Sequence, residues 1–213
     1  MKTCVILLGP PGAGKGTQGR RICDKLGWVH FSTGDLIRSE IALGSDFGKA
    51  VVSYQREGKL VPDDILLNVV AAFFSDLVAP GIVSDGFPRT LPQAMTLDAI
   101  LKNLGFAAKV VHLTTPLTVI TERALSRRVC MGCGEIFNLR ITPPTREGVC
   151  DVCGDRLSLR QDDNEDIIAV RYGIYESEIE GLLMYYGDRV VTVDGSRQPD
   201  VVFSSLESVF AQP

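Results

Sequence analysis

The 213-residue sequence lacks the features that mark several classes of protein. It has no apolar run of about 18 residues, the length that a membrane-spanning helix needs, so we expect no membrane partner. Positive charge is not in surplus: the formal net charge is −4, which argues against nucleic acid as the main partner. Internal repeats and low-complexity tracts are missing too, and the hydrophobic fraction of 45% is that of an ordinary globular protein.

Cysteine is used sparingly, and its spacing divides the six residues into two kinds. Cys4 and Cys23 are isolated, one in an apolar segment and one in a helical pattern, so we expect both to be buried free thiols. The opening apolar segment covers only about five residues and ends in glycine and proline, which favours a buried strand over a signal peptide. This use of cysteine fits the cytoplasm better than a secreted location.

Short apolar segments alternate with helix-length patterns along most of the chain. The strand-like segments are TCVILLG, WVHFS, GIVSDG, AKVVHLT and RVVTVDG. The helical patterns cover residues 14–26, 62–79, 91–103, 117–128 and 162–186. Strands that alternate with helices predict an α/β fold, a parallel sheet flanked by helices. Two segments interrupt the alternation: residues 33–61, where Gly44 and Gly58 would end two short helices, and residues 126–163, which contain four cysteines.

A glycine-rich loop, GPPGAGKGT, follows the first strand-like segment and precedes a helical pattern. This context and spacing predict a phosphate-binding loop, whose backbone N–H groups and helix N-terminus cradle phosphate oxygens. Lys15 would reach a terminal phosphate as a point charge. Gly16 stands where a Ser or Thr usually binds magnesium, and Thr17 follows one place later. The alternative, a glycine-rich turn of a Rossmann-like fold, is less favoured.

Four cysteines form two Cys-x-x-Cys pairs, with sixteen residues between the pairs. They are Cys130, Cys133, Cys150 and Cys153. This spacing predicts a structural Zn²⁺ site, because four thiolates close the coordination sphere, whereas a catalytic zinc keeps one position open. Two disulfides are the alternative, disfavoured by the expected cytoplasmic location.

Six arginines lie in separate segments, each beside a turn marked by Gly, Pro or Asp, and these are Arg38, Arg89, Arg123, Arg127, Arg160 and Arg171. The four-residue spacing of Arg123 and Arg127 predicts that they share one helix face. A solvated surface position is the alternative for any single arginine. His30 and His112 lie in strand-like segments, and we expect each to be a core or packing histidine.

Six motifs in register resemble the adenylate kinase family over essentially the whole chain. They are GPPGAGKGTQ at residues 9–18, FSTGDLIR at 31–38, GKLVPD at 58–63, DGFPRTLPQ at 85–93, ERALSRR at 122–128 and RQDDNEDIIAVR at 160–171. The resemblance implies a P-loop core formed by residues 1–31, 63–125 and 164–213. It also implies a helical AMP-binding insert at residues 32–62 and, at residues 126–163, a LID that carries the metal knuckle and closes over ATP.

The same resemblance implies the site residues. For ATP these are Gly12, Ala13, Gly14, Lys15, Gly16, Thr17, Arg123, Arg127, Ile136, Phe137 and Arg197. For AMP they are Thr33, Arg38, Lys59, Leu60, Val61, Gly86, Phe87, Pro88, Arg89, Gln93, Arg160 and Arg171. The implied catalytic residues are Lys15, Asp85, Arg89, Arg127, Arg160 and Arg171. Asp85 would order magnesium-bound water, and the Gln93 amide would pair with an adenine edge.

Some of these roles keep alternatives. Asp85 could instead be a turn or cap residue, Gln93 an exposed helical residue, and Phe137 part of the packing within the LID. Asp162 and Asp163 are hinge or arginine-orienting groups, or else acidic residues at a helix N-terminus.

The resemblance implies reversible phosphoryl transfer, ATP + AMP = 2 ADP, by a monomer that uses Mg²⁺ with ATP. One alternative is another nucleoside monophosphate kinase, which would prefer UMP or CMP; the GKLV stretch and Gln93 favour AMP. The other is a zinc-ribbon regulator that binds nucleic acid. From Cys130 to Cys153 the sequence has two Arg, no Lys, two Glu and one Asp, which is not a basic face.

Overall fold

A computed structural model describes residues 2–75, 77–160 and 162–210. Five parallel strands form the main sheet in the order β2-β3-β1-β4-β8. They are β1 (Lys2–Leu8), β2 (Val29–Ser32), β3 (Gly81–Asp85), β4 (Phe106–Thr114) and β8 (Val190–Asp194). All five coincide with the strand-like segments of the sequence, so the predicted parallel sheet is confirmed.

Eight α-helices accompany the sheet in the described part of the chain. They are α1 (Lys15–Leu26), α2 (Thr33–Leu43), α3 (Asp46–Glu57), α4 (Asp63–Ser75), α5 (Leu91–Asn103), α6 (Leu117–Leu125), α7 (Glu165–Tyr186) and α8 (Pro199–Phe210). Gly44 and Gly58 end α2 and α3 with φ of 65° and 70°, as the sequence predicts. The pattern of α8 was not recognised from the sequence.

Helices cover both faces of the sheet, and alternate residues of β1 show this directly. Cys4, Ile6 and Leu8 belong to one buried cluster, which includes residues of α3, α4, α5 and α7. Val5 and Leu7 belong to a second cluster, formed with residues of α1 and α8. A central parallel strand buried on both faces needs an unbroken apolar sequence, and CVILL supplies it.

Residues 126–163, called the cysteine segment below, contain a second sheet that the sequence did not reveal. Its strands are β5 (Arg127–Cys130), β6 (Ile136–Asn138) and β7 (Leu157–Ser158), paired antiparallel in the order β6-β5-β7. The prediction of a helix to residue 128 is therefore wrong, and so is the shared helix face of Arg123 and Arg127. The α6 helix ends at Leu125, because the backbone that follows pairs with β6 and β7 instead.

Two further helix boundaries differ from prediction. The α4 helix ends at Ser75 rather than at residue 79, and residue 76 lies outside the described residues. The α7 helix begins at Glu165 rather than at residue 162, because Asn164 caps it: its side chain accepts a hydrogen bond from the Ile167 N–H. Among the helices of the described residues, none is both long and apolar enough to cross a membrane.

Candidate active site

A cavity of about 770 Å³ lies at the carboxyl ends of the main-sheet strands, the usual ligand position in an open parallel sheet. The loop of residues 9–14 forms its floor, Asp85 at the end of β3 lies beside it, and the cysteine segment contributes part of its wall. All the residues predicted to bind ATP line this cavity, and so do Asp85, Arg89, Arg160 and Arg171.

The glycine-rich loop has the backbone of a phosphate cradle. Gly9, Gly12 and Gly14 have φ of 140°, 84° and 96°, values that residues with a side chain rarely adopt. At Gly9 a Cβ would also lie 2.5 Å from the Leu113 carbonyl oxygen, so the loop packs directly against β4. The loop then leads into the N-terminus of α1, where N–H groups point outward.

Lys15 holds its ammonium group over the same loop. Its Nζ donates hydrogen bonds of 2.8 Å to the carbonyl oxygens of Gly9 and Pro10. Burial lowers the pKa of Lys15; Asp85 opposes this shift and nearby arginines add to it, so that the pKa is about 8. The ammonium is therefore held in place in surroundings that disfavour its positive charge, so an anionic ligand would stabilise it.

Gly16 leaves room for Asp85. A Cβ at Gly16 would lie 3.3 Å from Asp85 Oδ2, so any larger side chain would crowd the carboxylate. Asp85 is also 3.9 Å from His30 Nε2. A carboxylate beside the phosphate loop provides the hard oxygen that Mg²⁺ prefers, and the residues here fit a cation held largely through water and phosphate.

All six arginines singled out in the sequence line this cavity, and four of them have carboxylate partners there. Arg127 pairs with Asp163 through two nitrogens, and Arg171 Nη1 lies 2.8 Å from Asp162 Oδ2. Arg38 pairs with Asp35, and Arg160 lies 4.0 Å from the same Asp35 carboxylate. Asp162 and Asp163 are nearly fully buried. Their contacts support the arginine-orienting role, while Asn164, not either aspartate, caps α7.

The arginines are crowded enough to oppose one another. Burial lowers the pKa of Arg89, and the neighbouring Arg171 and Arg38 lower it further. Burial lowers the pKa of Arg160 as well, with Arg127 and Arg38 adding to the effect. Like charges gathered in a partly dry cleft are unfavourable until a polyanion neutralises them. The cavity is therefore electrostatically prepared for phosphate groups.

Arg123 lies at a different edge of the cavity. Its guanidinium donates to the carbonyl oxygens of Gly195, Ser196 and Arg197, at 2.7, 2.9 and 3.1 Å, in the loop between β8 and α8. These contacts hold the guanidinium plane rigidly beside the cavity. A fixed plane of this kind suits stacking on a nucleotide base.

A smaller cavity of about 50 Å³ lies between the α2–α3 segment and α5. Eight residues predicted for AMP line it: Thr33, Arg38, Lys59, Leu60, Val61, Arg89, Gln93 and Arg171. Gly86, Pro88 and Arg160 line the larger cavity instead. The ring of Phe87 is fully buried in the main core and lines neither cavity.

Gln93 is buried rather than exposed, with only 1% of its surface accessible. Its Oε1 accepts from the Arg89 backbone N–H at 2.8 Å, and its Nε2 donates to Asp63 Oδ1 at 2.6 Å. Sequence reasoning missed Asp63 and Asp35. The available signal was that both belong to the quoted motifs and are carboxylates, the natural partners of predicted polar and cationic groups.

The histidines take the packing positions expected of them. His112 is buried, and its Nε2 lies 2.8 Å from the Tyr175 hydroxyl. His30 packs against Gly19, where a Cβ would lie 2.6 Å from its Nε2. The isolated thiols of Cys4 and Cys23 are free and buried, as the sequence predicts.

The four remaining cysteines come together in the cysteine segment, with every sulfur within 4.8 Å of the others. Cys130 Sγ lies 3.3 Å from Cys153 Sγ, and Cys133 Sγ lies 3.6 Å from Cys150 Sγ. Both distances are far beyond the roughly 2.05 Å of a disulfide. A tetrahedron with Zn–S bonds of about 2.3 Å has edges of about 3.8 Å, so this cluster fits Zn²⁺.

The two Cys-x-x-Cys turns have the same internal structure. In each turn, the first cysteine donates its N–H to the carbonyl of the residue five places later, Glu135 or Asp155. Each ends in a glycine of positive φ, Gly134 at 75° and Gly154 at 78°. The Cys133 N–H donates to Cys130 Sγ at 3.4 Å and is the main cause that lowers the pKa of Cys130, while the neighbouring thiols contribute to raising the pKa of Cys133 and of Cys153. Such N–H···S contacts stabilise thiolates, the form that binds metal.

Comparison with known proteins agrees with this geometry. The adenylate kinase family profile matches residues 7–191. The chain belongs to the adenylate kinase family. It is 39% identical to the adenylate kinase of Thermosipho melanesiensis, over 96% of this chain and 98% of the relative. It is 41% identical to that of Symbiobacterium thermophilum, over 95% and 96%, and 40% identical to that of Clostridioides difficile, over 95% of each chain.

Family membership confirms three expectations from the sequence. The predicted family, the P-loop α/β fold and the enzyme class, a phosphotransferase, are all correct. The zinc-ribbon regulator and the UMP or CMP kinase are not favoured, because the similar proteins are consistently named adenylate kinase.

Proposed function

We propose that the protein catalyses reversible transfer of the γ-phosphoryl group of MgATP to AMP, giving two ADP. The observation that carries this proposal is the convergence of Lys15 and the arginines on one cavity floored by the glycine-rich loop. Phosphoryl transfer needs little covalent chemistry from the protein. It needs reactants held in line and positive charge around the transferring group.

ATP occupies the larger cavity in this proposal. The loop N–H groups and Lys15 bind its phosphates, while Arg123 and Phe137 lie beside its base. No general base is required, because the attacking atom is an oxygen of the AMP phosphate, which is already anionic. The protein therefore contributes position and charge rather than proton transfer.

AMP occupies the smaller cavity, with its base near Gln93 and its phosphate directed toward the larger one. Arg89 and Arg171 line both cavities, which supports a position between donor and acceptor phosphates. Arg38 also lines both and is oriented by Asp35. Cations shared by the two cavities can stabilise charge that develops on the transferring group.

Two metal ions belong to the proposal, in different roles. Asp85 would order the water around a Mg²⁺ bound to the ATP phosphates, and this ion would neutralise phosphate charge. Cys130, Cys133, Cys150 and Cys153 would hold a structural Zn²⁺, because four thiolates leave no open position for substrate. The zinc would stabilise the fold of the cysteine segment and take no part in the reaction.

The cysteine segment would act as a LID that closes over ATP, with residues 32–62 as the AMP-binding insert and the remainder as the core. Closure would exclude water, which protects ATP from hydrolysis until AMP is bound. A cytoplasmic location is supported by the free thiols of Cys4 and Cys23, which persist in a reducing compartment. A monomeric state remains a prediction.

A coupled assay with MgATP and AMP, UMP or CMP tests the function. We expect ADP formation to depend on AMP, with much lower rates for the pyrimidine monophosphates and little ATP hydrolysis without an acceptor. Rapid hydrolysis without a monophosphate, or a preference for UMP or CMP, would contradict the proposal.

A further inference from the structure

The side chain of Gln93 is held at both ends by neighbours that cannot exchange roles. The Arg89 backbone N–H can only donate, and it faces Oε1 at 2.8 Å. The Asp63 carboxylate can only accept, and it faces Nε2 at 2.6 Å. Oxygen and nitrogen of a glutamine amide are otherwise nearly interchangeable in shape, so these two contacts decide which is which.

The backbone around this amide is fixed as well. Gln93 lies in the first turn of α5, where its N–H donates to the Oγ1 of Thr90, the helix cap, at 3.4 Å. Asp63 is the first residue of α4, a position where a carboxylate is favoured by the helix dipole. The amide therefore bridges two helix N-termini and has little freedom to rotate.

The contacts also determine what the amide can offer a ligand. A glutamine amide has two N–H donors and two acceptor lone pairs. With one of each already used, one N–H of Nε2 and one lone pair of Oε1 remain in a fixed arrangement. Gln93 lines the smaller cavity, whereas Asp63 is not among the described residues that line either cavity. Asp63 therefore contacts the amide from outside these two cavities.

Of the two purine bases, only adenine has the order of donor and acceptor groups that matches this fixed amide. On its Watson–Crick edge adenine has a donor at N6 and an acceptor at N1, which match Oε1 and the N–H of Nε2. Guanine has the reverse, an acceptor at O6 and a donor at N1. Guanine in the same position would set oxygen against oxygen and N–H against N–H, unless the amide turned over.

We propose that Asp63 is a specificity-determining positioning residue, whose carboxylate fixes the orientation of the Gln93 amide so that the acceptor site selects adenine over guanine. This inference rests on the proposed function, since it assigns AMP to the smaller cavity. Turning the amide over would place Oε1 against the Asp63 carboxylate and an N–H group against the Arg89 N–H. Both contacts would be repulsive, and this repulsion would make the binding free energy of guanine less favourable than that of adenine.

The test compares kcat/KM for AMP and GMP, at saturating MgATP, in the wild type and in Asp63→Asn and Asp63→Ala. Asparagine keeps the shape of the side chain but can present either an oxygen or an N–H group to Gln93. A correctly paired base edge discriminates by between about 5- and 100-fold, so we expect the AMP/GMP ratio to fall at least about fivefold. The fall should come from KM, with kcat for AMP largely retained, and calorimetric Kd values for AMP and GMP should show the same change.

Two controls separate positioning from general damage. Asp64→Asn removes the adjacent carboxylate from the same first turn of α4, but this side chain is exposed, and the hydrogen bonds of Gln93 go to Arg89, Thr90 and Asp63 instead. It should leave the AMP/GMP ratio within twofold of the wild type. In a Gln93→Ala background, Asp63→Ala should no longer change the ratio, because the residue acts only through the amide.

Three results would overturn the inference. The first is a wild type that prefers AMP to GMP while both Asp63 variants keep that ratio within twofold. The second is an equal fall in Asp64→Asn, which would assign the effect to helix charge. The third is a full effect of Asp63→Ala in the Gln93→Ala background. Failure of the proposed function looks different, because the wild type itself would then not use AMP as acceptor.

Discussion

The main sheet and the cysteine segment contribute walls to the same cavity, yet they are stabilised in different ways. The main sheet is buried between two large apolar clusters that draw on seven helices and all five strands. The cysteine segment buries one small cluster, consisting of Phe137 and Leu157 with the sulfur-bearing Cys130 and Cys150. Such a small core supplies little hydrophobic free energy. Under the proposed function, a metal held by the four sulfurs would provide the stability that apolar burial provides elsewhere.

The boundary between the two regions is held by charge. Arg127 begins β5 at one end of the cysteine segment, and Asp163 lies at the other end. Their ion pair therefore joins the two places where the chain passes between the cysteine segment and the rest of the protein. Asp162 is paired with Arg171 of α7 in the same place. The same arginines face the cavity. The boundary therefore couples the position of the cysteine segment to the cations that bind phosphate.

The largest expected effect comes from removing metal from the cysteine segment. Metal that binds only the folded segment stabilises it by its binding free energy, on the order of 10 kcal/mol for four thiolates. Chelation or Cys153→Ala should therefore unfold this segment at a temperature where the main sheet remains folded. Hydrogen exchange should show fast amides in β5, β6 and β7 and protected amides in β1 and β4.

Cys23→Ala is the matched control, because Cys23 is a buried free thiol on α1 that belongs to the core cluster. It should keep one zinc per chain by elemental analysis and lose only a little stability. Activity should persist in the metal-free protein at temperatures where the segment still folds. A well-folded, metal-free protein without any activity would instead indicate a catalytic metal.

The second effect tests the claim that the cavity cations serve catalysis rather than stability. Arg89→Ala should lower kcat by about 10²-fold or more, since one lost transition-state cation costs about 3 kcal/mol. The melting temperature should stay the same or rise, because Arg89 is buried among Arg171 and Arg38, which lower its pKa. Arg56→Ala removes an exposed arginine of α3 and should change neither quantity. Turnover near that of the wild type in Arg89→Ala would remove Arg89 from the catalytic set.

The same contrast explains how much the sequence could predict. The strands of the main sheet were predictable because CVILL and VVHL must be buried on both faces, and the loop glycines because φ excludes other residues. The strands of the cysteine segment were not, since β7 has only two residues and pairs with β5, which lies nearly thirty residues earlier in the chain. The prediction that Arg127 lies on a helix with Arg123 failed because four-residue spacing is only a local signal. The pairing of Arg127 with Asn138 of another strand overrides it.

Contacts between remote residues were the other hidden part of the site. Arg38, Arg89 and Gln93 were identified from their motifs. However, the pairing of Gln93 with Asp63, thirty residues away, follows only from the packing of α4 against α5. No spacing rule relates the two positions. Sequence motifs therefore predicted the side chains expected to contact ligand and suggested Asp162 and Asp163 as orienting groups, whereas the structure was needed to find Asp63 and Asp35.

A third, smaller effect is the pH dependence of ATP binding through Lys15. The free protein has a Lys15 pKa of about 8, and bound phosphate requires the ammonium form. The Kd for MgATP should therefore be raised about twofold at pH 8 and about tenfold at pH 9, relative to pH 7. Lys15→Arg should bind more weakly overall but with a flat profile over this range. A wild-type Kd that stays constant from pH 7 to 9 would contradict the lowered pKa.

Folding stability should respond to Lys15 with the opposite sign. The pKa of this group is lower in the folded protein than in the unfolded chain, where it is 10.5. Between pH 8 and 10.5 the unfolded chain therefore binds more protons, and the contribution of Lys15 to the free energy of unfolding increases with pH. Relative to Lys15→Arg, the wild type should gain stability across this window while it loses affinity for ATP.

The smallest expected effect concerns Asn164, which caps α7 where the cysteine segment returns to the core. Its Oδ1 accepts from the Ile167 N–H at 2.9 Å, and its side chain is exposed, so little packing is lost on truncation. Asn164→Ala should lower the free energy of unfolding by about 1 kcal/mol, or about 2–4 °C in melting temperature for a protein of this size. Asn164→Asp keeps a capping oxygen and should restore nearly all of that loss.

Zinc content should be equal in both variants, because the cap belongs to α7 and not to the sulfur cluster. Asn164→Ala could instead release zinc, or lower the melting temperature of β5 to β7 more than that of the main sheet. Either result would show that the two regions share their stability at this boundary. The contrast between them would then be weaker than their separate cores indicate.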